Sequence, residues 1–91
     1  MRQCDLSEAD LSDADLTRSN AAMSYFVRAN LTRARCDHAQ MMNAIFHYAN
    51  VAATSFTGTN LYSADFSRAV GDHDTSFADA HLTRVVKMKV S

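Results

Sequence analysis

The chain has 91 residues, 47% hydrophobic and 21% charged, with a formal net charge of -1, two glycines, no proline and no tryptophan. That length suits one domain, residues 1–91, near the size at which a single core stabilises only marginally, and it excludes a two-lobed enzyme. The near-neutral balance supplies neither a basic surplus for a phosphate backbone nor an acidic surplus for imitating one, so any partner is expected to be recognised locally.

Cys4 and Cys36 are too few for a disulfide framework, and no Cys/His spacing suggests zinc. Apolar residues never run long enough to cross a bilayer, and residues 1–20 carry no apolar run of the signal type. The expectation is a cytoplasmic protein with reduced thiols and no membrane partner.

From Cys4 onward the chain is a repeat. Large or apolar residues return at every fifth position: Leu6, Leu11, Leu16, Ala21, Phe26, Leu31, Cys36, Met41, Phe46, Val51, Phe56, Leu61 and Phe66. Two residues before each stands a small one, as in Cys4, Ala9, Ala14, Ser24, Ala34, Ala44, Thr54 and Ala64. On an α-helix a step of five advances about 140°, so these residues would spiral round the rod. On a straight strand an odd step flips each one to the opposite face. Neither element buries them. A short extended piece with a bend in every repeat does: the small residue and the large one two later both point inward, and the next two residues turn the chain. The residue between each inward pair points outward and is often Asp or Asn, as at Asp5, Asp10, Asp15, Asn20, Asn30, Asn50, Asn60 and Asp65, types that bond nearby backbone in turns.

The units Ala9-Asp10-Leu11-Ser12-Asp13, Ala29-Asn30-Leu31-Thr32-Arg33 and Ala64-Asp65-Phe66-Ser67-Arg68 resemble the pentapeptide-repeat family, A(D/N)LxX, over about residues 4–84. The resemblance implies an all-β fold: a right-handed quadrilateral β-helix of about four coils, each of four repeats or twenty residues. Residues twenty apart would then stack about 4.8 Å apart. The inward columns become Leu6, Phe26, Phe46, Phe66; then Leu11, Leu31, Val51; then Leu16, Cys36, Phe56; then Ala21, Met41, Leu61.

After Phe66 the frame slips by one residue within Val70-Gly71-Asp72-His73-Asp74, and the next inward residues are Phe77 and Leu82. A bulged corner is expected at Gly71, where glycine would tolerate the backbone angles. Residues 85–91 form a final strand or cap, because Val86, Met88 and Val90 alternate with Lys87, Lys89 and Ser91. Val86, Met88 and Val90 are candidates for an end-to-end or dimer seam, and an open end invites a homodimer.

No acid, base and nucleophile converge, so no catalytic residue is assigned and no enzyme is expected. Cys36 reads as a small buried hydrophobe, and Asp72-His73-Asp74 as a solvated corner, so neither metal nor cofactor is assigned. The first coil is acidic and the second basic, which predicts exposed pairs Glu8–Arg28 and Asp13–Arg33 worth under about 1 kcal/mol each. The outward residues that break the polar consensus are Met23, Tyr25, Val27, Met42, Ile45, Tyr48 and Tyr62. Most fall on the first face or on the corner leading into it, Tyr25 beside Ile45 and Met42 beside Tyr62, and form a candidate protein interface. The expected function is a non-enzymatic binding or scaffold module that docks a protein or a second copy of itself, with no nucleic acid. An alternative comes from the resemblance alone: some pentapeptide-repeat proteins imitate duplex DNA and bind DNA gyrase, protecting or inhibiting it.

Overall fold

The computed structural model describes residues 3–90, with Lys89 and Val90 as backbone only. Its building block is the five-residue unit. Each inward residue opens a four-residue turn, closed when the N–H of the small residue three positions on donates to the inward residue's carbonyl: Ala9 to Leu6 at 3.1 Å, Ala29 to Phe26 at 3.1 Å, Ala49 to Phe46 at 3.0 Å. The third residue of the turn lies in the left-handed region, where a type II turn needs it, as at Glu8 (φ 65°), Met23 (60°), Arg28 (60°) and Tyr48 (61°). Among the described residues fifteen that are not glycine take this conformation, and none of them is β-branched. Branching at Cβ makes a positive φ most costly, so Val and Thr are confined to the other turn position, as at Val27 and Thr32. Ser63 (φ 57°) tests the rule. Ser63→Val is expected to cost about 1–2 kcal/mol and Ser63→Gly to stabilise by up to about 1 kcal/mol in urea titrations, whereas equal midpoints would show that the turn is not under this constraint.

The units stack by parallel pairing. Residues twenty apart bridge in four rows: Asp5, Tyr25, Ile45, Asp65; Asp10, Asn30, Asn50, Val70; Asp15, Arg35, Ser55; and Asn20, Gln40, Asn60. A coil is therefore twenty residues with one turn at each of four corners. The faces are named by their inward columns: face 1 from Leu6, face 2 from Leu11, face 3 from Leu16 and face 4 from Ala21. Three backbone bonds per unit tie adjacent coils. Leu6 N–H donates to Tyr25 (2.7 Å), Glu8 N–H to Val27 (2.8 Å), and Tyr25 N–H back to Cys4 (2.9 Å), and the pattern recurs around the stack. Satisfying both backbone groups at each bridging residue is what lets such short extended pieces hold without long strands.

Inside, Phe26, Phe46 and Phe66 stack face to face at 4.9 and 4.5 Å, their planes within 5°. Phe56 and Phe77, from face 3, stack at 5.2 Å and meet the first column edge-on, Phe46 to Phe56 at 5.9 Å and 85°, Phe66 to Phe77 at 5.7 Å and 88°. The two columns reach each other because the second inward residue of every unit is small: Ala29, Ala34, Ala39, Ala44, Ala49 and Ala64 are all buried. Where that residue is Thr, its hydroxyl is not left unpaired. Thr54 Oγ1 donates to Leu31 O and Thr59 Oγ1 to Cys36 O, both at 2.6 Å. Ala21, Met41 and Leu61 are likewise fully buried, the larger pair filling the room that Ala21 leaves on face 4.

At the slip the structure corrects the expectation for Gly71. The extra residue is absorbed by the turn Asp72–Thr75, closed by Thr75 N–H to Asp72 O at 3.1 Å, and Gly71 itself has no positive φ. Gly71 occupies the inward position above Val51, and a Cβ there would lie 2.6 Å from Met88 Cε. Glycine is used here for space. Asp72 repairs the ladder: its Oδ1 accepts from Ala53 N–H and Asp74 N–H, both at 3.0 Å, the first in place of a backbone carbonyl. These bonds, led by the one from Ala53, hold the Asp72 carboxyl below its ordinary value. Beyond the slip the rows resume with one added residue, Ser55 to Ser76, Asn60 to His81 and Asp65 to Val86.

The end segment forms the expected final strand and cap, but without the expected alternation. After Val86 the chain omits a turn, and β1 (Val70–Gly71) pairs in parallel with β2 (Lys89–Val90) in the register Val70 to Lys89 and Gly71 to Val90. Val86 therefore points outward and is exposed, while Met88 packs on the core against Gly71. The alternation proposed for Val86, Met88 and Val90 does not place the first two on one surface, and the side chain of Val90, like Ser91, lies outside the described residues.

Candidate protein-interaction face

Face 1 shows outward what its sequence promises. Tyr25 and Ile45 are direct partners in the bridging row, and Tyr25 is 52% exposed. In the neighbouring rows most such positions are Asp or Asn, whose side chains bond the N–H two residues on, as Asn50 Oδ1 does with Ala52 at 3.0 Å. Tyr25 and Ile45 give up that bond, and the exposed Tyr25 ring stands beside the half-buried Ile45. Val27 lies half-buried in the turn at the corner between faces 1 and 2, next to Arg28. Met23, Met42 and Tyr62 sit half-buried at the corner between faces 4 and 1, where Tyr62 packs against the His81 ring at 5.8 Å.

Tyr48 is placed apart from that corner. It lies at the other edge of face 1, 50% exposed, with the Arg28 guanidinium 4.9 Å from its ring centre and that of Arg68 at 5.9 Å. Two cations on one ring face the solvent together, an arrangement typically worth under about 1 kcal/mol per contact at exposed sites. This corrects the expected pair Glu8–Arg28, since Arg28 turns to Tyr48 and no ion pair joins it to Glu8 among the described residues. The pair Asp13–Arg33 forms as expected and is bidentate, Nε to Oδ1 at 2.8 Å and Nη2 to Oδ2 at 3.0 Å.

Between the two edges His47 Nε2 lies 2.7 Å from Asp65 Oδ2. Burial pushes the Asp65 carboxyl up, but the bonds from His47 and Ser67 outweigh it and hold the group below its ordinary value. The pair ends the apolar surface toward the fourth coil. The other histidines are occupied locally: His38 lies flat on Gly58, where a Cβ would meet its ring at 2.6 Å, His73 is 3.7 Å from Asp74, and His81 Nε2 is 3.0 Å from Thr83 Oγ1. Cys36 is fully buried in its column, and desolvation, aided by Asp37, pushes its thiol up to about 12.

Two features escape a reading of the sequence. Val70 is 55% exposed in a row otherwise of Asp and Asn, and its neighbour Gly71 hides it in a stretch that looks like a loop. Phe66, Phe77, Leu82, Val85, Lys87 and Met88 line a shallow hollow of about 250 Å³ at the end of the stack. Charge also changes from coil to coil. The outward acids Asp5, Asp10 and Asp15 are followed one coil on by Tyr25, Asn30 and Arg35, and Asp13 by Arg33. Among the described residues no bridging row carries carboxylates in consecutive coils. Among the described residues no helix is long and apolar enough to cross a membrane.

The repeat profile "Pentapeptide repeats" matches in eight copies, over residues 1–20, 9–47 and 44–70. The chain belongs to the pentapeptide-repeat family. No curated protein matches it. Its resemblance to solved pentapeptide-repeat structures covers nearly its whole length. It is 24% identical to a protein of the Arabidopsis thaliana thylakoid lumen, covering 97% of this chain and 70% of that one with a TM-score of 0.52. With Rfr23 of the cyanobacterium Cyanothece 51142 it shares 15% identity over 96% and 85% of the two chains at a TM-score of 0.55. With HetL of Nostoc, described as involved in heterocyst differentiation regulation, it shares 21% identity over 94% and 46% at 0.53. At these identities the likeness is one of fold, and for a pentapeptide-repeat chain the role is read from its outward side chains.

Proposed function

We propose that this pentapeptide-repeat domain is a non-enzymatic protein-binding module. Its coils wind as a right-handed quadrilateral β-helix, and face 1 is its docking surface. The observation that carries the reading is the Tyr25–Ile45 pair, two large apolar side chains adjacent in an outward row. The coil beneath is held by its own backbone ladder, so the face is presented with little conformational entropy left to lose on binding. Aromatic and methionine side chains around such a centre are the composition of an interface core. The interrupted carboxylate rows favour this reading over imitation of DNA.

Ile45→Asp and Tyr25→Asp are expected to abolish self-association or capture of a partner while leaving the circular dichroism spectrum unchanged, and Asn50→Asp on face 2 is expected to do neither. Gyrase supercoiling is expected to be indifferent to the protein. Unaltered sedimentation and capture by both face 1 variants would remove the proposal, and salt-sensitive gyrase inhibition would replace it with the other one.

A further inference from the structure

The outer row along the edge of face 1 toward face 2 reads Glu8, Arg28, Tyr48, Arg68, one residue per coil, each fixed by a turn with positive φ. Arg28 and Arg68 flank the Tyr48 ring, and neither they nor Glu8 enter an ion pair among the described residues. Reversed, the row matches itself: Glu opposes Arg and Arg opposes Tyr at all four places. The adjacent row matches itself at its centre, where Tyr25 and Ile45 become Ile45 and Tyr25.

We propose that face 1 binds a second copy of this chain, coils antiparallel, about a two-fold axis lying in the interface across the coils. The inference rests on the docking role assigned above and names its occupant. Such an axis exchanges the first coil with the fourth and the second with the third, and it keeps the same edge of face 1 on both sides. Glu8 then meets the partner's Arg68, Arg28 meets the partner's Tyr48, and Tyr25 packs on the partner's Ile45, so the interface is isologous and closes as a dimer. A parallel pairing would set this charged row against the opposite edge, which carries Met23, Asn43 and Ser63 and no counter-charge. The antiparallel arrangement also opposes Asp5 and the partner's Asp65, twice per dimer, and on each Asp65 the His47 ring of the same chain already lies against the carboxylate.

Size sets the strength. Four coils at about 4.8 Å span roughly 19 Å, and the molecule measures 30 × 26 × 22 Å, so each copy contributes on the order of 400 Å². The total falls below the standard 1,200–2,000 Å², in the size class of weak, transient contacts.

Sedimentation velocity of the full chain from about 10 μM to about 1 mM is expected to show a monomer–dimer equilibrium that weakens with salt. Arg68→Glu and Glu8→Arg, each alone, place like charges together twice per dimer and are expected to weaken it about tenfold or more. The combined variant restores both contacts with the signs exchanged and is expected to return to the wild-type constant. All three keep the fold by circular dichroism, because both positions are exposed. A wild type that stays monomeric at 1 mM overturns the second copy as occupant. A dimer abolished by Ile45→Asp but indifferent to the charge exchange overturns the antiparallel register, and both outcomes leave the docking role of face 1 to be judged by its own variants.

Discussion

Phe46→Ala is expected to remove about 3–5 kcal/mol of stability, enough to bring a domain of this size close to unfolding at 25 °C. Phe46 is fully buried at the centre of the aromatic core, stacked between Phe26 and Phe66 and touched edge-on by Phe56. In most cores part of such a hole closes by collapse of the neighbours. Here the coils on either side are pinned by the backbone ladder, Phe26 N–H to Ile45 at 2.7 Å and Phe46 N–H to Asp65 at 2.7 Å, so the stack cannot shorten and the cavity persists. Phe77→Ala, at the partly buried end of the other column, removes the same side chain where solvent already reaches and is expected to cost clearly less. Urea titrations at constant slope measure both. A loss below about 1.5 kcal/mol at Phe46, or equal losses at the two sites, would mean that the coils relax and that the ladder is softer than its geometry indicates.

The same rigidity explains what could be read from the residues in advance. A period of five suits neither a helix nor a flat strand, and the four-repeat coil implied by the family resemblance then put Phe26, Phe46 and Phe66 in one column, where they lie. The twenty-residue spacing likewise made Tyr25 and Ile45 neighbours before any coordinate was known. Which outward residue takes the left-handed conformation was hidden, because these turns use Glu8, Arg28 and Tyr48 where a glycine or asparagine would have marked the place. The remaining trace was negative, the lack of any β-branched residue at that position.

Side-chain choices were less legible than backbone. Stacking brings Glu8 and Tyr48 equally near to Arg28, one coil to either side, and charge alone favours Glu8. In the structure Arg28 lies over the Tyr48 ring, which Arg68 approaches from the next coil. At Gly71 the residue type was informative but its reason was not, since room for Met88 depends on a segment that abandons the repeat. The alternation in Val86 and Met88 misled for the same reason: omitting a turn sends one outward and the other inward.

Acid is expected to weaken this protein through its outward aspartates. The carboxyls of Asp5 and Asp10 lie below their ordinary value of 3.8, lowered by the side chains and then the backbone N–H groups of Ser7 and Ser12, and that of Asp15 lies below it too, with the Thr17 N–H donating at 3.0 Å. For Asp10 both bonds are explicit, Ser12 Oγ at 2.6 Å and Ser12 N–H at 3.1 Å. Asp13 is lowered by Arg33, and Asp65 and Asp72 shift in the same direction. Because each group binds its proton more weakly when folded, the folded chain carries fewer protons, and stability is complete above pH about 4 and drains away as the pH falls below it. The repeat contains its own control. At Asn30 and Asn50 an amide oxygen accepts the same N–H bond, Thr32 and Ala52 both at 3.0 Å, with no proton to gain. Replacing Asp5, Asp10 and Asp15 together by Asn is therefore expected to keep the turns and near-native stability at pH 7. Between pH 5 and 3 it should make the fall in the urea midpoint shallower, leaving only the part due to Asp13, Asp65 and Asp72. Salt should weaken the Asp13–Arg33 contribution and spare the N–H bonds, which act at contact distance. Two parallel pH curves, wild type and triple variant, would show that these carboxylates are spectators and that acid acts elsewhere in the stack.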